Sequence, residues 1–159
     1  DSLQVRNKEV RNLDDIIGIN GLIMPGGEST TLRKLLKNTG LWKYIMECEL
    51  PVLGTCAGAI LLGKNNDETF QKMDFTIDRN FYGRQIDSFE ENLDIEDYHG
   101  FKGIFIRAPA IIDIGKTKPV AYCRKKVVGC VDGKNMALTF HPELTKDTYF
   151  HKMWINNLS

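Results

Sequence analysis

The stretch 51–62 reads Pro-Val-Leu-Gly-Thr-Cys-Ala-Gly-Ala-Ile-Leu-Leu, and it decides the expected fold class. An apolar run leads into a turn in which Cys56 has a glycine two residues away on each side, and a second apolar run follows at once. This pattern is typical of a nucleophile elbow, where a buried strand ends, one residue is held in a strained conformation and a helix begins. We therefore predict a strand over Pro51–Gly54, a helix over Ala57–Gly63 and a reactive thiol between them.

A second motif, Phe140-His141-Pro142-Glu143, contains the groups that a catalytic thiol requires. A thiol nucleophile needs a base that takes its proton, and the base needs a third group that holds it in one tautomer. Residues two apart in an extended segment point the same way, so we expect His141 and Glu143 to share one face. The alternative is that Cys56 is a small buried hydrophobe and that His141 is structural.

The remaining chain alternates predicted strands with predicted helices. Gly21–Met24 is a predicted strand that ends in a Pro-Gly-Gly turn, and Ser29 or Thr30 is expected to cap the next helix. The other predicted segments are a helix over Leu41–Cys48, strands over Asp74–Asp78, Ile86–Phe89, Gly103–Ile106, Val120–Cys123, Val127–Val131 and Met136–Phe140, and a terminal helix from about Thr145. Helical spacing places the following residues in the core: Leu32, Leu35, Leu36, Trp42, Ile45 and Met46.

This order of elements predicts an α/β fold. Strand–helix alternation favours a mainly parallel sheet with helices on both faces, and the later half of the chain adds antiparallel strands. In such sheets a site lies at the carboxyl ends of the strands. We therefore expect Gly26, Cys56 and His141 to converge there.

The composition argues against several function classes. Basic and acidic residues number 21 each, so no overall field favours nucleic acid or an anionic membrane. No apolar stretch approaches the about 18 residues of a membrane span. The length of 159 residues predicts one domain over residues 1–159. The four cysteines lack zinc-type spacing, and the proposed chemistry needs Cys56 free, which favours a cytoplasmic location and no metal.

Four segments carry a family resemblance. They are Pro25-Gly26-Gly27-Glu28-Ser29-Thr30, the twelve residues Arg79–Glu90, Phe105-Ile106-Arg107-Ala108-Pro109 and Phe140-His141-Pro142-Glu143-Leu144. The order Cys, His, Glu resembles the triad of class I glutamine amidotransferases. Within that class the four segments are similar to the glutaminase subunits of pyridoxal 5′-phosphate synthase. The elbow alone would fit several amidotransferases, whereas the Arg79–Glu90 segment is more specific.

The resemblance implies a flavodoxin-like three-layer sandwich with a site that hydrolyses glutamine. Cys56 would attack the side-chain amide, His141 would move the proton and Glu143 would orient the imidazole. The backbone N–H groups of Gly27 and Ala57 are the candidate oxyanion hole. The residues implied to line the glutamine site are Gly27, Glu28, Ser29, Arg79, Ile106 and Arg107.

Other charged residues allow more than one interpretation. An arginine suits the substrate carboxylate because its planar donors match two oxygens, but Arg79 and Arg107 could equally form surface ion pairs. The remaining polar residues of the specific segment are candidates for a partner interface: Arg84, Gln85, Asp87 and Glu90. His99 and His151 lack any motif and are expected at the surface.

The resemblance also implies a partner and a product. A separate (β/α)8-barrel synthase subunit would use the ammonia to make pyridoxal 5′-phosphate, so that this compound is a product of the complex and no cofactor is expected in this chain. Family members open with an apolar strand, whereas this chain begins Asp1-Ser2-Leu3, so we expect that strand to be absent. The alternatives are a glutaminase subunit of another pathway, a γ-glutamyl peptidase, and a catalytically silent partner that stabilises a synthase.

Overall fold

The computed structural model describes residues 3–80 and 88–158. The strands among them are β1 (Leu22–Met24), β2 (Val52–Thr55), β3 (Thr76–Asp78), β4 (Ser88–Asn92), β5 (Lys102–Ile106), β6 (Ala110–Asp113), β7 (Lys118–Cys123), β8 (Lys126–Asp132) and β9 (Asn135–Leu138). The helices are α1 (Leu13–Ile16), α2 (Ser29–Asn38), α3 (Leu41–Glu47), α4 (Ala57–Leu62), a 3-10 turn (Pro142–Leu144) and α5 (Tyr149–Asn156). The strand before the elbow and the helix after it are confirmed.

The main sheet has the strand order β1-β2-β9-β8-β7. β1, β2 and β9 run parallel, and β8 and β7 extend the sheet in antiparallel fashion. Two further strand pairs, β3 with β6 and β4 with β5, are antiparallel. The expected parallel sheet with added antiparallel strands is therefore confirmed, and the parallel part contains the elbow.

Both faces of this sheet are buried, each in its own hydrophobic core. Successive side chains along a strand point to opposite faces, so neighbouring residues of one strand enter different cores. Val52 and Ala137 face a core that they share with residues of α2, α3 and α4. Leu53 and Leu138 face a second core, which includes Phe150 of α5 and residues of β5. The molecule thus has three layers, as the α/β prediction requires.

The elbow depends on close contacts that only glycine allows. A Cβ atom on Gly54 would lie 2.6 Å from the main chain of Gly58, and one on Gly58 would lie 2.1 Å from the carbonyl oxygen of Met24. The helix α4 therefore packs directly on the backbone of β1 and β2. Neither glycine of the elbow can therefore carry a side chain without a shift of the backbone.

The cap of α2 differs from the sequence prediction. Ser29 and Thr30 were the expected caps, but the N-cap residue is Glu28, whose carboxylate accepts hydrogen bonds from the main-chain N–H groups of Thr30 and Thr31 at 3.0 and 2.9 Å. A glutamate side chain reaches both donors from one position earlier, so that the helix starts at Ser29.

Two helical residues that were predicted to be buried are exposed. Leu35 is 57% exposed and Met46 is 47% exposed, whereas Leu36, Trp42 and Ile45 are buried. Helical spacing alone defines the width of an apolar face only loosely, and one neighbouring residue in each helix falls outside it.

The remaining differences concern short elements. Helix α1 and strand β6 had no clear sequence signal, and α1 owes its start to a capping box between Asn12 and Asp15. The terminal helix starts at Tyr149 rather than near Thr145, because the 3-10 turn comes first. Of the predicted strand Ile86–Phe89, residues 86 and 87 lie outside the described residues.

The contacts of Gly58 generate a stability prediction. We expect Gly58→Ala to lower the free energy of unfolding by about 3 kcal/mol, because its methyl group must displace the backbone of β1. Urea unfolding followed by circular dichroism measures this change. Gly133→Ala is the control: Gly133 has a φ of 61° with open space around its Cβ position, so strain alone should cost about 1 kcal/mol. Equal losses in the two variants would contradict the packing argument.

Candidate active site

Cys56 lies between β2 and α4 in a strained conformation. Its φ of 51° and ψ of −105° are outside the usual regions for a residue with a side chain. Its main-chain N–H donates to the carbonyl oxygen of Leu138 at 2.8 Å, which continues the pairing of β2 with β9. The sulfur is 3.9 Å from the carbonyl oxygen of Ile106. The thiol is buried where the strands β2, β9 and β5 end.

His141 and Glu143 meet as the sequence predicts, but by a different local route. Nδ1 of His141 is 2.6 Å from Oε2 of Glu143. The expected extended segment is wrong, since Glu143 lies in the 3-10 turn that begins at Pro142. A second contact fixes the histidine backbone, because the N–H of His141 donates to the carbonyl oxygen of Ile104 at 2.8 Å. The imidazole is therefore held from both its ring and its main chain.

The electrostatics of the site favour a protonated imidazole. Hydrogen bonds with Cys56 and then with Glu143 raise the pKa of His141 to about 10, against the lowering effect of burial. Burial raises the pKa of the Glu143 carboxyl, but the hydrogen bond and the positive charge of His141 outweigh it, so that this pKa lies below its ordinary value. At neutral pH the site thus holds a proton on His141 beside the sulfur of Cys56.

Gly26 packs directly against the imidazole of His141. A Cβ atom on Gly26 would lie 2.3 Å from Cε1 of His141 and 2.9 Å from Nδ1. The turn after β1 therefore touches the histidine directly, and Gly26, Cys56 and His141 converge as expected at the carboxyl ends of the strands.

The two candidate oxyanion donors, the N–H groups of Gly27 and Ala57, directly follow Gly26 and Cys56 in the chain. Gly27 has a φ of 130°, a conformation that glycine adopts without strain. Ala57 is the first residue of α4, so its N–H has no acceptor within the helix. Both N–H groups belong to segments that contact the sulfur or the imidazole.

The side chain of Glu28 is occupied by its own helix. The hydrogen bonds from the main chain of Thr30 and then of Thr31 lower the pKa of Glu28 to about 2. Because this carboxylate is committed to the cap, a substrate contact of Glu28 would come from its main chain. Ser29 beside it is buried.

Arg79 lies against the start of α2. Its Nη1 donates to the hydroxyl oxygens of Ser29 at 3.3 Å and Thr30 at 3.1 Å. The same nitrogen is 3.7 Å from a carboxylate oxygen of Glu28, and Nε is 3.7 Å from Oδ2 of Asp67. Arg79 therefore forms ion pairs in this structure, and its role in binding substrate stays a prediction.

The other candidate substrate residues lie at the end of β5 (Ile106) and directly after it (Arg107). Ile106, 40% exposed, brings its carbonyl oxygen to the sulfur of Cys56, and Arg107 next to it is exposed with a φ of 46°. The partner candidate Glu90 lies on β4 and is 3.6 Å from Nζ of Lys102. The other candidates for a partner interface lie outside the described residues: Arg84, Gln85 and Asp87.

The sequence interpretation placed His151 at the surface, which the structure corrects. His151 lies in the first turn of α5 and is partly buried, and burial lowers its pKa although the charge of Glu143 acts in the opposite direction. Glu143 thus has a second histidine within electrostatic range. No motif marks this residue, and only the packing of α5 reveals it. His99 is exposed, as expected.

Metal clusters and membrane spans are not found in the part of the chain that the structure describes. There, no group of three or more histidine, cysteine, aspartate or glutamate residues could hold a metal ion. No helix within residues 3–80 and 88–158 is long and apolar enough to cross a membrane. The four cysteines are free thiols.

Solved structures share this fold. A crystal structure described as a glutamine amidotransferase matches with a TM-score of 0.91 at 36% identity, covering 99% of this chain and 88% of that one. A putative GMP synthase protein from Thermoplasma acidophilum matches with a TM-score of 0.61 at 19% identity, over 91% of this chain and 74% of that one, and shows the fold alone. The class is therefore that of the flavodoxin-like α/β glutamine amidotransferases.

The chain belongs to the SNO glutamine amidotransferase family, which it matches over residues 1–159. A relative from Methanocaldococcus jannaschii is 45% identical over 156 residues, which are 94% of this chain and 84% of the relative. Relatives from Pyrococcus furiosus and Staphylococcus haemolyticus are 40% and 42% identical, covering 94% and 95% of this chain and 82% and 83% of their own lengths. All three are named pyridoxal 5′-phosphate synthase subunit PdxT. The family resemblance of the sequence is confirmed.

The raised pKa of His141 generates a pH prediction. We expect the ring of His141 to keep its proton through neutral pH and to lose it near pH 10, and Glu143→Gln to lower this midpoint towards the ordinary 6.5. Because the folded pKa is raised, the stabilisation from the protonated ring is fully present below pH 6.5 and is lost as pH rises through about 10. Nuclear magnetic resonance of the ring protons measures the midpoint. Glu9→Gln, an equal charge change at an exposed site, is the control; the same midpoint in both variants would refute the assignment.

The contact between Gly26 and the imidazole generates a second prediction. We expect Gly26→Ala to lower kcat for glutamine hydrolysis by about 100-fold, because the methyl group displaces the ring by about an ångström. Steady-state kinetics measures kcat, and thermal unfolding reports whether the fold survives. Gly100→Ala is the control, since Gly100 has open space around its Cβ position, although its φ of 90° is one that alanine adopts only with strain. A similar loss of kcat in both variants would mean that the contact is unimportant.

Proposed function

We propose that this chain hydrolyses L-glutamine to L-glutamate and ammonia with Cys56 as nucleophile, His141 as acid and base, and Glu143 as the group that orients the imidazole. The contact of 2.6 Å between His141 and Glu143, with Cys56 hydrogen-bonded to the same ring, carries the proposal. This is the geometry of a nucleophile, a base and an orienting acid in one chain of hydrogen bonds.

The first half of the reaction forms a covalent intermediate. His141 takes the proton of the Cys56 thiol, the thiolate attacks the carbon of the side-chain amide, and the carbonyl oxygen becomes an oxyanion. The main-chain N–H groups of Gly27 and Ala57 stabilise that charge. His141 then gives its proton to the amide nitrogen, ammonia leaves, and a γ-glutamyl thioester remains on Cys56.

The second half releases glutamate. Having given up its proton, His141 takes one from a water molecule that attacks the thioester carbon. The sulfur of Cys56 leaves, and the imidazole is protonated again. The raised pKa of His141 keeps a proton on the ring at neutral pH for transfer to the leaving nitrogen, and the negative charge of Glu143 supports the imidazolium that the second half restores.

Substrate recognition requires partners for an α-carboxylate and an α-ammonium group. Arg79 and Arg107 are the proposed partners of the carboxylate, since a guanidinium offers two parallel donors. The main chain of Gly27, Glu28 and Ser29 lies between Arg79 and His141, which favours this segment as the side of the pocket. Ile106 contributes the wall next to the sulfur.

The ammonia is proposed to serve pyridoxal 5′-phosphate synthesis in the cytoplasm. The names of the relatives support this pathway. A separate synthase subunit with a (β/α)8 barrel would receive the ammonia, and pyridoxal 5′-phosphate would be made there, so that this chain needs neither cofactor nor metal. Exposed residues such as Glu90, and the segment with Arg84, Gln85 and Asp87, are the proposed contact region.

Release of glutamate from glutamine tests the proposal, measured for the chain alone and in the presence of the barrel of a pyridoxal 5′-phosphate synthase. We expect release that increases with the partner, and a loss of at least about 1000-fold in Cys56→Ala because no other thiol occupies the elbow. Cys48→Ala is the matched control, since Cys48 is a thiol at the end of α3.

Each result decides a different part of the proposal. Release that is indifferent to the partner would keep the glutaminase activity and overturn the pathway. Thioester formation in Cys56→Ala would overturn the nucleophile assignment. Stable association with the synthase but no release under either condition would favour the catalytically silent partner.

A further inference from the structure

Arg79 is held from two sides by different parts of the chain. On one side, Nη1 donates to the hydroxyl oxygens of Ser29 and Thr30 at the start of α2. On the other side, Nε is 3.7 Å from Oδ2 of Asp67, which lies in the loop after α4. Contacts at two nitrogens of a planar group fix its orientation, whereas contacts at one nitrogen leave it free to turn.

The third nitrogen of Arg79 is the one left for a ligand. Within residues 3–80 and 88–158, the hydrogen bonds of this guanidinium come from Nη1, and Nη2 donates none. The guanidinium is 38% exposed, so the group is accessible to solvent. A carboxylate that reaches Nη2 would complete the set of partners around this arginine.

The loop that contains Asp67 is itself anchored to α2. Nε of Arg33 donates to the main-chain carbonyl of Glu68 at 2.8 Å, and the Glu68 carboxylate pairs with Lys37. The N–H of Asp67 donates to the side chain of Asn65 at 2.7 Å. These contacts place the Asp67 carboxylate against Arg79 without using it for the anchorage.

We infer that Asp67 is a positioning residue for glutamine binding, which holds the guanidinium of Arg79 so that Nη2 can donate to the α-carboxylate of the substrate. This inference rests on the proposed function, because it requires Arg79 to bind that carboxylate. Asp67 touches neither the substrate nor the reacting atoms. Its effect is therefore on substrate binding and not on the chemical steps.

The size of the effect follows from the exposure of the pair. Both side chains are about two-fifths exposed, at 38% for Arg79 and 40% for Asp67, and such pairs are worth about 1 kcal/mol or less. We expect Asp67→Asn to raise the KM for glutamine about two- to fivefold with kcat unchanged. Asp67→Glu keeps the charge and should restore most of the affinity.

The test measures kcat and KM for glutamine in the complex with the synthase subunit. The variants are Asp67→Asn, Asp67→Glu, Arg79→Gln and the double variant Asp67→Asn/Arg79→Gln. Glu9→Gln is the control, because it removes a negative charge from an exposed carboxylate that pairs with Arg11 and not with Arg79. We expect Glu9→Gln to leave KM unchanged.

The double variant separates positioning from a general effect of charge or stability. If Asp67 acts through Arg79, Asp67→Asn adds nothing to the KM of Arg79→Gln. Additive effects of the two changes, or a KM in Asp67→Asn that is unchanged or lower while Arg79→Gln raises KM, would overturn the inference alone. An unchanged KM in Arg79→Gln would overturn the assigned role of Arg79 as well.

Discussion

The hydrogen bond between the N–H of Cys56 and the carbonyl oxygen of Leu138 determines where the side chains of Cys56 and His141 lie. It extends the parallel pairing of β2 and β9 by one residue, so that the elbow after β2 is locked to the end of β9. His141 follows β9 by only a few residues. The distance between thiol and imidazole is therefore set by strand register, which a packed sheet does not change easily. Gly54 and Gly58 allow the helix to begin directly on this register, and Gly26 allows the neighbouring turn to press on the ring.

The charges of the site depend on how deeply each group is buried. Glu143 is partly exposed, yet its hydrogen bond with His141 keeps it ionised, and His141 in turn keeps its proton. A buried carboxylate or imidazolium alone would be costly, but each neutralises the other. His151 on α5 adds a further polarisable group near Glu143, so the terminal helix takes part in the electrostatics of the site as well as in packing.

Much of this arrangement was predictable from the sequence, since a tight glycine-flanked turn between apolar runs permits few structures. The elbow, the alternation of strands and helices and the meeting of His141 with Glu143 all followed from local patterns. The failures have physical causes of another kind. Glu28 caps α2 because its longer side chain reaches the first helical N–H groups from one residue earlier. The known N-cap preferences favour Ser, Thr, Asp and Asn over glutamate, so they pointed to Ser29 and Thr30 instead. The ion pair of Asp67 with Arg79 and the effect of the Glu143 charge on the pKa of His151 join different elements of the fold, and no periodicity encodes them.

The cap on α2 has a consequence for the behaviour of the molecule in acid. With a pKa of about 2, Glu28 stays ionised far below the ordinary value of 4.5 for a glutamate. Since this pKa is depressed, the stabilisation from the cap is present above pH 4.5 and is lost only as pH falls through about 2. The turn that carries Gly26 and Gly27 thus remains attached to a formed helix in mildly acidic solution. Mildly acidic solution should therefore leave the Glu28 carboxylate ionised and its hydrogen bonds with Thr30 and Thr31 in place.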